Sequence, residues 1–257
     1  MTATYLDRIL EHHRARAAAD TRSVERLLDD ARALPPARGF RAALADRFGV
    51  IDEIKRRSPS KVDLHVGLDP AEMAATYERG GAACLSVLTD DVHFGGSVAD
   101  LQAARAACTL PVLRKDFTVG ERDVLDARIM GADCVLLIAA ALDASELAAL
   151  HALAVDIGLD VLVEIHDEHE LDHALAADAN LIGVNQRDLV TFQVDHERAV
   201  RMAGLIPGRA VKVAESGVRG GDDARSLRRA GYDALLVGET LVTSGDPAAA
   251  IAELVSS

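Results

Sequence analysis

Eight short apolar runs punctuate the chain, at 50–54, 84–89, 112–117, 134–139, 161–166, 181–187, 211–217 and 234–238. Amphipathic stretches with helical spacing lie between them, among them 70–79, 98–107, 121–130, 144–157 and 222–230. Near-continuous apolar strands alternating with helices call for a parallel sheet covered on both faces. Gly131 and Gly231 sit where two of these helices should stop, the expected place for a residue free to turn left-handed. Eight units in roughly 200 residues fit a closed (β/α)8 barrel, which takes about 250 residues in all. An open doubly wound sheet is the rival. It is weakened by the lack of a glycine-rich dinucleotide loop after the first run, and Gly217-Val218-Arg219-Gly220-Gly221 does not have that spacing.

Residues 1–47 precede the first run. Leu6, Ile9, Leu10 and His13 keep helical spacing, as do Val24, Leu27 and Leu28, so two extra N-terminal helices are expected, separated near Asp20-Thr21. Pro35-Pro36 then breaks the chain. This extension is expected either to cap the barrel base or to lie across its ligand side. No linker-like segment interrupts residues 1–257, and at 49% apolar the chain can build one core, so one domain is expected.

A net charge of −13 argues against nucleic acid as a partner, because phosphate backbones need a basic face. A small anion needs only a local cluster of cations. No apolar stretch reaches the roughly 18 residues of a membrane span. Residues 1–20 carry charges throughout, with no signal-peptide core. Cys84, Cys108 and Cys134 lack paired spacing and read as reduced thiols of a cytoplasmic protein. Oligomeric state is not legible; a monomer or weak homo-oligomer is expected.

The first run ends in Glu53-Ile54-Lys55-Arg56-Arg57-Ser58-Pro59-Ser60-Lys61. Glu53 and Lys55, two apart on a strand, share a face. A structural ion pair would explain them in isolation, but the other runs end in charge too. Arg114, Lys115, Asp116 and Phe117 close the third, Glu164 and His166 the fifth, Asn185 and Arg187 the sixth. Glu215, Ser216 and Gly217 close the seventh, Gly238 and Glu239 the eighth. Barrel active sites lie at the C-terminal ends of the strands, so these side chains would ring one mouth. Ser216-Gly217 and Gly238-Glu239 stand at the two strands where barrels recurrently bind phosphate.

Seven segments, in order, carry a resemblance: 53–61, Leu85-Ser86-Val87-Leu88-Thr89-Asp90, Leu113-Arg114-Lys115-Asp116-Phe117, Leu162-Val163-Glu164-Ile165-His166, Gly183-Val184-Asn185-Gln186-Arg187-Asp188-Leu189, Ala214-Glu215-Ser216-Gly217 and Leu236-Val237-Gly238-Glu239. Together they resemble the signature segments of indole-3-glycerol phosphate synthases. Val62 stands where that family usually has glycine, Gln186 where a second Asn is common, and Val92-His93-Phe94-Gly95-Gly96 is less aromatic than usual. A phosphoribosylanthranilate isomerase would instead resemble a barrel with Cys or Asp on strand 1 and Asp on strand 6. A non-catalytic paralogue that binds a phosphorylated ligand or a partner subunit would be expected to have lost Lys115 or Glu164, and both are present, whereas a specialised-pathway paralogue would use the same chemistry and stays open as an alternative.

The resemblance implies closure of 1-(2-carboxyphenylamino)-1-deoxyribulose 5-phosphate to indole-3-glycerol phosphate, in tryptophan biosynthesis, with loss of CO2 and water and with no metal or cofactor. It implies Lys115 as general acid, its pKa lowered by desolvation or neighbouring cations such as Lys55, with strand alternation turning Arg114 away. Glu164 is implied as base or shuttle, with Glu53 orienting a hydroxyl and tuning the lysines. Lys55 would bind the carboxylate or act as second acid. Asn185 would hold sugar hydroxyls or Glu164, Arg187 the substrate carboxylate, and Glu215 a hydroxyl or the phosphate loop. Phe94, Phe117, Leu136 and Leu189 would wall the benzene ring. Ser58, Ser216, Gly217, Gly238 and Glu239 would hold phosphate, with the Glu239 carboxylate pointing away. His166, His169 and His173 have a spacing that on a helix could hold zinc, but a solvated start to the fifth helix accounts for them.

Overall fold

Eight parallel strands close into a barrel in chain order: β1 Gly49–Ile54, β2 Cys84–Leu88, β3 Val112–Lys115, β4 Cys134–Ile138, β5 Asp160–Ile165, β6 Leu181–Asn185, β7 Val211–Glu215 and β8 Ala234–Val237. β8 pairs back onto β1, with Ile51 opposite Leu236, which excludes the open sheet. The structure is a computed structural model and describes residues 4–45, 47–57, 67–188, 190–242 and 244–257. Three helices precede the barrel: α1 Tyr5–Ala19, α2 Val24–Arg32 and α3 Phe40–Ala45. Others follow the strands: α4 Pro70–Gly80, α5 Val98–Ala107, α6 Glu121–Ile129, α7 Ala144–Asp156, α8 Glu168–Ala176, α9 Arg198–Ala203 and α10 Gly221–Ala230. α11 Glu239–Val242 and α12 Pro247–Ser256 come after β8. No helix among the described residues is long and apolar enough to cross a membrane.

Every strand falls on an expected run, because strands covered on both faces must be apolar throughout. The expected runs extend past most strands at the C-terminal end. Asp116 shows why: its carboxylate accepts the N–H of Phe117 at 2.8 Å and the Thr89 hydroxyl at 2.6 Å, so side chains take over from the ladder. Helix starts follow capping chemistry. Asp69 precedes Pro70 and accepts the Ala71 N–H, and Asp143 forms a reciprocal capping box with Glu146. Gly131 and Gly231, at φ of 101° and 100°, end their helices left-handed as expected.

The N-terminal extension does both things expected of it as alternatives. α1 lies at the mouth, where Arg14 pairs with Glu146 at the start of α7. Arg22 then pairs with Asp126 of α6 on the way down. α3, a third helix that the spacing did not announce, packs at the base with Phe40 and Leu44 fully buried. Two acids preceding or opening strands staple this segment: Asp133 accepts the Arg38 N–H at 2.7 Å and Asp160 the Arg41 N–H at 2.9 Å.

Asp133, itself fully buried, also accepts the Val112 N–H at 2.9 Å and pairs with the partly exposed Arg105. Asp133→Ala would leave Arg105 and two backbone donors short of a partner. It is expected to cost about 3–5 kcal/mol in urea unfolding. Because Asp133 is at the base, the folded variant should retain its activity. A change below 1 kcal/mol would show the staple to be incidental.

Candidate active site

Strand alternation turns Glu53 of β1, and Lys55 just past its end, into the barrel, where they pair with each other. The same rule brings in Lys115 of β3, Glu164 of β5 and Glu215 of β7. These four strands are alternate members of the barrel, the set that supplies one four-residue layer of its interior. The uppermost layer here therefore holds Glu53, Lys115, Glu164 and Glu215, three acids and one ammonium.

Lys115 Nζ donates to Glu164 Oε2 at 2.8 Å and to Glu215 Oε2 at 3.0 Å. Asn185 Nδ2 donates to the other oxygen of Glu164 at 2.9 Å. Burial pulls the Lys115 ammonium toward deprotonation, but Glu164, Glu215 and Glu53 outweigh it, so its pKa stands above the ordinary lysine value. This corrects the expectation of a lowered lysine pKa. Lys55 is taken up by Glu53, and Arg114 faces outward, bonded to Thr89, Asp116 and the Asp123 carbonyl.

The two acids sharing Lys115 diverge. Burial raises the pKa of Glu164, but Lys115, His166 and the Asn185 hydrogen bond overcome that and hold it below the usual carboxylate range. For Glu215, burial and the charges of Glu164 and Glu53 outweigh Lys115 and push its carboxyl up to about 7. Glu215 Oε1 is buried with no hydrogen-bond partner among the described residues, in keeping with a carboxyl that takes up a proton easily. One acid stays ionised beside another that titrates near neutrality, the pattern that separates base from acid roles.

Two glycines make room for this layer. A Cβ on Gly183 would stand 1.9 Å from Glu215 Oε1, and one on Gly238 would stand 2.7 Å from Glu53 Oε1. Gly183 stands in one of the seven resemblance segments but received no role there, although glycine inside a strand signals close approach. Gly183→Ala is expected to displace the end of the Glu215 side chain without unfolding the barrel. A loss of about 10²-fold in kcat/KM is the expected scale for such a misplacement, with a nearly unchanged melting temperature. Unaltered kinetics would show the position of Glu215 to be unimportant.

Above the charged layer opens a cavity of about 370 Å³. Phe94, Phe117 and Leu136 line it as expected, joined by Leu88, Phe192 and Val194. Phe94 and Phe117 stack at 6.2 Å. Phe192 sits in an irregular loop where no periodicity marks a residue as inward-facing. Ser58, Val62 and Leu189 lie outside the described residues.

On the β7–β8 side, Ser216 and Gly217 are both left-handed, at φ of 65° and 73°. The strain at Ser216 is of order 1–3 kcal/mol, and Gln186 Nε2 holds the turn by donating to the Ser216 carbonyl at 2.7 Å. Thr240 donates to the Val218 carbonyl at 2.6 Å and joins the β7 and β8 loops. Gly238, Glu239, His196 and Arg219 also line this end. Arg187 donates to the Phe192 carbonyl, and its Nη2 is 3.9 Å from Glu239 Oε2. The Glu239 carboxylate thus lies within ion-pair range of Arg187 on the cavity wall. His166 belongs to the β5 end, bonded to Glu170, while His169 and His173 meet edge-on at 4.4 Å on α8.

A family model described as indole-3-glycerol phosphate synthase matches residues 6–254. The chain belongs to the indole-3-glycerol phosphate synthase family. Among its relatives, a protein named indole-3-glycerol phosphate synthase 2 from Streptomyces coelicolor is 52% identical, over 91% of each chain. The indole-3-glycerol phosphate synthase of Mycolicibacterium smegmatis is 48% identical over 100% of this chain and 95% of its own. That of Bordetella pertussis is also 48% identical, over 93% of each. A solved thiamine phosphate pyrophosphorylase from Pyrococcus furiosus superposes at TM-score 0.61 over 83% of this chain and 96% of its own. At 16% identity it speaks for the barrel alone. In this member of the family, the seven segments of the resemblance include the strands that carry the charged layer.

Proposed function

We propose that this protein converts 1-(2-carboxyphenylamino)-1-deoxyribulose 5-phosphate to indole-3-glycerol phosphate, releasing CO2 and water, as a carboxy-lyase of tryptophan synthesis. The observation that carries the reading is Lys115 held between Glu164 and Glu215 beneath an aromatic-walled cavity. The aryl carbon bearing the carboxylate attacks the ketone, and Lys115 gives its proton to the oxygen as that oxygen becomes an alkoxide. A lysine with a raised pKa keeps its proton at neutrality and still yields it to a group as basic as an alkoxide. Loss of CO2 then restores the aromatic ring. Glu164, kept ionised, removes the C1 proton as the hydroxyl leaves, with Asn185 fixing its carboxylate. Glu215 or Lys55 protonates the departing hydroxyl, and Glu53 keeps Lys55 in place.

Phe94, Phe117 and Leu136 sandwich the benzene ring and Arg187 takes the substrate carboxylate. The backbone around Ser216, Gly217, Gly238 and Glu239 holds the phosphate, with Ser58 from the first loop. The partner implied is a small phosphorylated substrate. The chain contains no tryptophan, so indole fluorescence appears against a low protein background. Native protein mixed with the substrate is expected to develop that fluorescence together with stoichiometric CO2. A folded protein that binds the substrate and forms no indole would overturn the assignment.

A further inference from the structure

We infer that the protein carries a metal site at the barrel mouth, formed by His13, Asp90 and His93, which takes a divalent ion of the zinc type and clamps α1 to the loop after β2. His13 Nε2 stands 2.9 Å and His93 Nδ1 stands 3.1 Å from the same oxygen, Asp90 Oδ2. All three candidate ligand atoms lie within 4.8 Å of one another. Ligands about 2.1 Å from a tetrahedral zinc are about 3.4 Å apart, so the two Asp90 contacts need lengthen by only about half an ångström or less to admit the ion. Two imidazoles and a carboxylate suit zinc and its neighbours better than calcium or magnesium.

The surroundings orient the ligands. Asp90 Oδ1 is occupied separately, accepting the N–H groups of His93 at 2.6 Å and Phe94 at 3.0 Å, which leaves Oδ2 as the point of convergence. His13 and Asp90 are each only 1% exposed. Asp116 Oδ1, 3.8 Å from His13 Nε2, adds a further negative charge. Water completes the coordination on the open side, where the exposed His12 ring packs edge-on against those of His13 and His93 at 5.6 and 5.8 Å.

Arg16 Nη2 lies 3.1 Å from His13 Nδ1, so without an ion His13 carries its proton on Nε2 and donates it to Asp90. Metal binding requires the other tautomer, with Nε2 bare and Nδ1 protonated. Arg16 is half-exposed and already 3.5 Å from Asp123, to which it can turn. The ion has no part in the reaction proposed above. It is a brace: it joins the N-terminal helix to a segment bordering Phe117, whose ring is 5.4 Å from that of His13.

The test uses the full chain, freed of metal by a chelator and titrated with Co2+. One equivalent should produce the intense visible absorption of tetrahedral cobalt, which Zn2+ then abolishes. Zinc should also slow hydrogen exchange in α1. His13→Gln/His93→Gln retains amide donors for Asp90 and should fold normally, as checked by circular dichroism, but lose the band. His169→Ala/His173→Ala removes the edge-on pair on α8 and should leave it unchanged. The proposal fails if native protein gives no one-equivalent band, if the Gln/Gln variant keeps it, or if the α8 variant loses it.

Discussion

Lys115→Ala is expected to lower kcat/KM by about 10²–10⁴-fold, the usual contribution of a positioned acid. CO2 release and indole formation should fall together, because ring closure precedes both. The substitution also removes the one ammonium shared by Glu164 and Glu215. Both carboxyls are buried and should escape the unpaired charge by binding protons, so their native pKa values rise above those of the unfolded chain. A native state that binds more protons than the unfolded one loses stability as pH rises through the interval between the two pKa values. The variant should therefore be more stable near pH 5 than near pH 8, over a window of about three units. Lys115→Arg should not restore activity, since a guanidinium does not surrender its proton. Urea unfolding across pH, with single-turnover assays of both products, checks these statements. Product formation within tenfold of native would remove Lys115 from the chemistry.

The inversion of the Lys115 environment shows where sequence reading stops. Alternation correctly turned Glu53 and Lys55 inward and Arg114 outward, because the period of a strand is two wherever it occurs. It could not say which side chains meet across the barrel. That follows from closure and register, which bring β1, β3, β5 and β7 to one level. The cations expected beside Lys115, Arg114 and Lys55, proved to be engaged by Asp116 and Glu53, and acids from three other strands became its neighbours. Strand positions were legible because burial on both faces leaves little choice of residue. α3 was not, since six residues after Pro35-Pro36 span too little of a helix for a period to register. His13 was read as one position of an apolar helical spacing, and nothing local tied it to Asp90, 77 residues away. The Glu239 carboxylate was assigned by its expected repulsion from phosphate, and its pairing with Arg187, 52 residues away, could not be read from either segment alone.

Glu164→Gln separates the two halves of the reaction. The substitution keeps the size of the side chain and one acceptor oxygen, which can serve Asn185 Nδ2 or Lys115 but not both, so Lys115 keeps Glu215 as its firm partner and the layer loses one hydrogen bond. It removes a base and one of the three negative charges that raise the Lys115 pKa. Lys115 becomes a stronger acid, and Glu215, relieved of repulsion from Glu164, should titrate below about 7. Ring closure and decarboxylation should then survive, while removal of the C1 proton is slowed by about 10²–10⁴-fold. In a single turnover, CO2 should be released ahead of indole fluorescence, with the hydroxylated intermediate accumulating between them. The two signals stay in step in the Lys115→Ala protein and part company in this one. If Glu164→Gln instead slows CO2 and indole equally, its carboxylate serves the reaction by holding Lys115, and the base must be sought at Glu215.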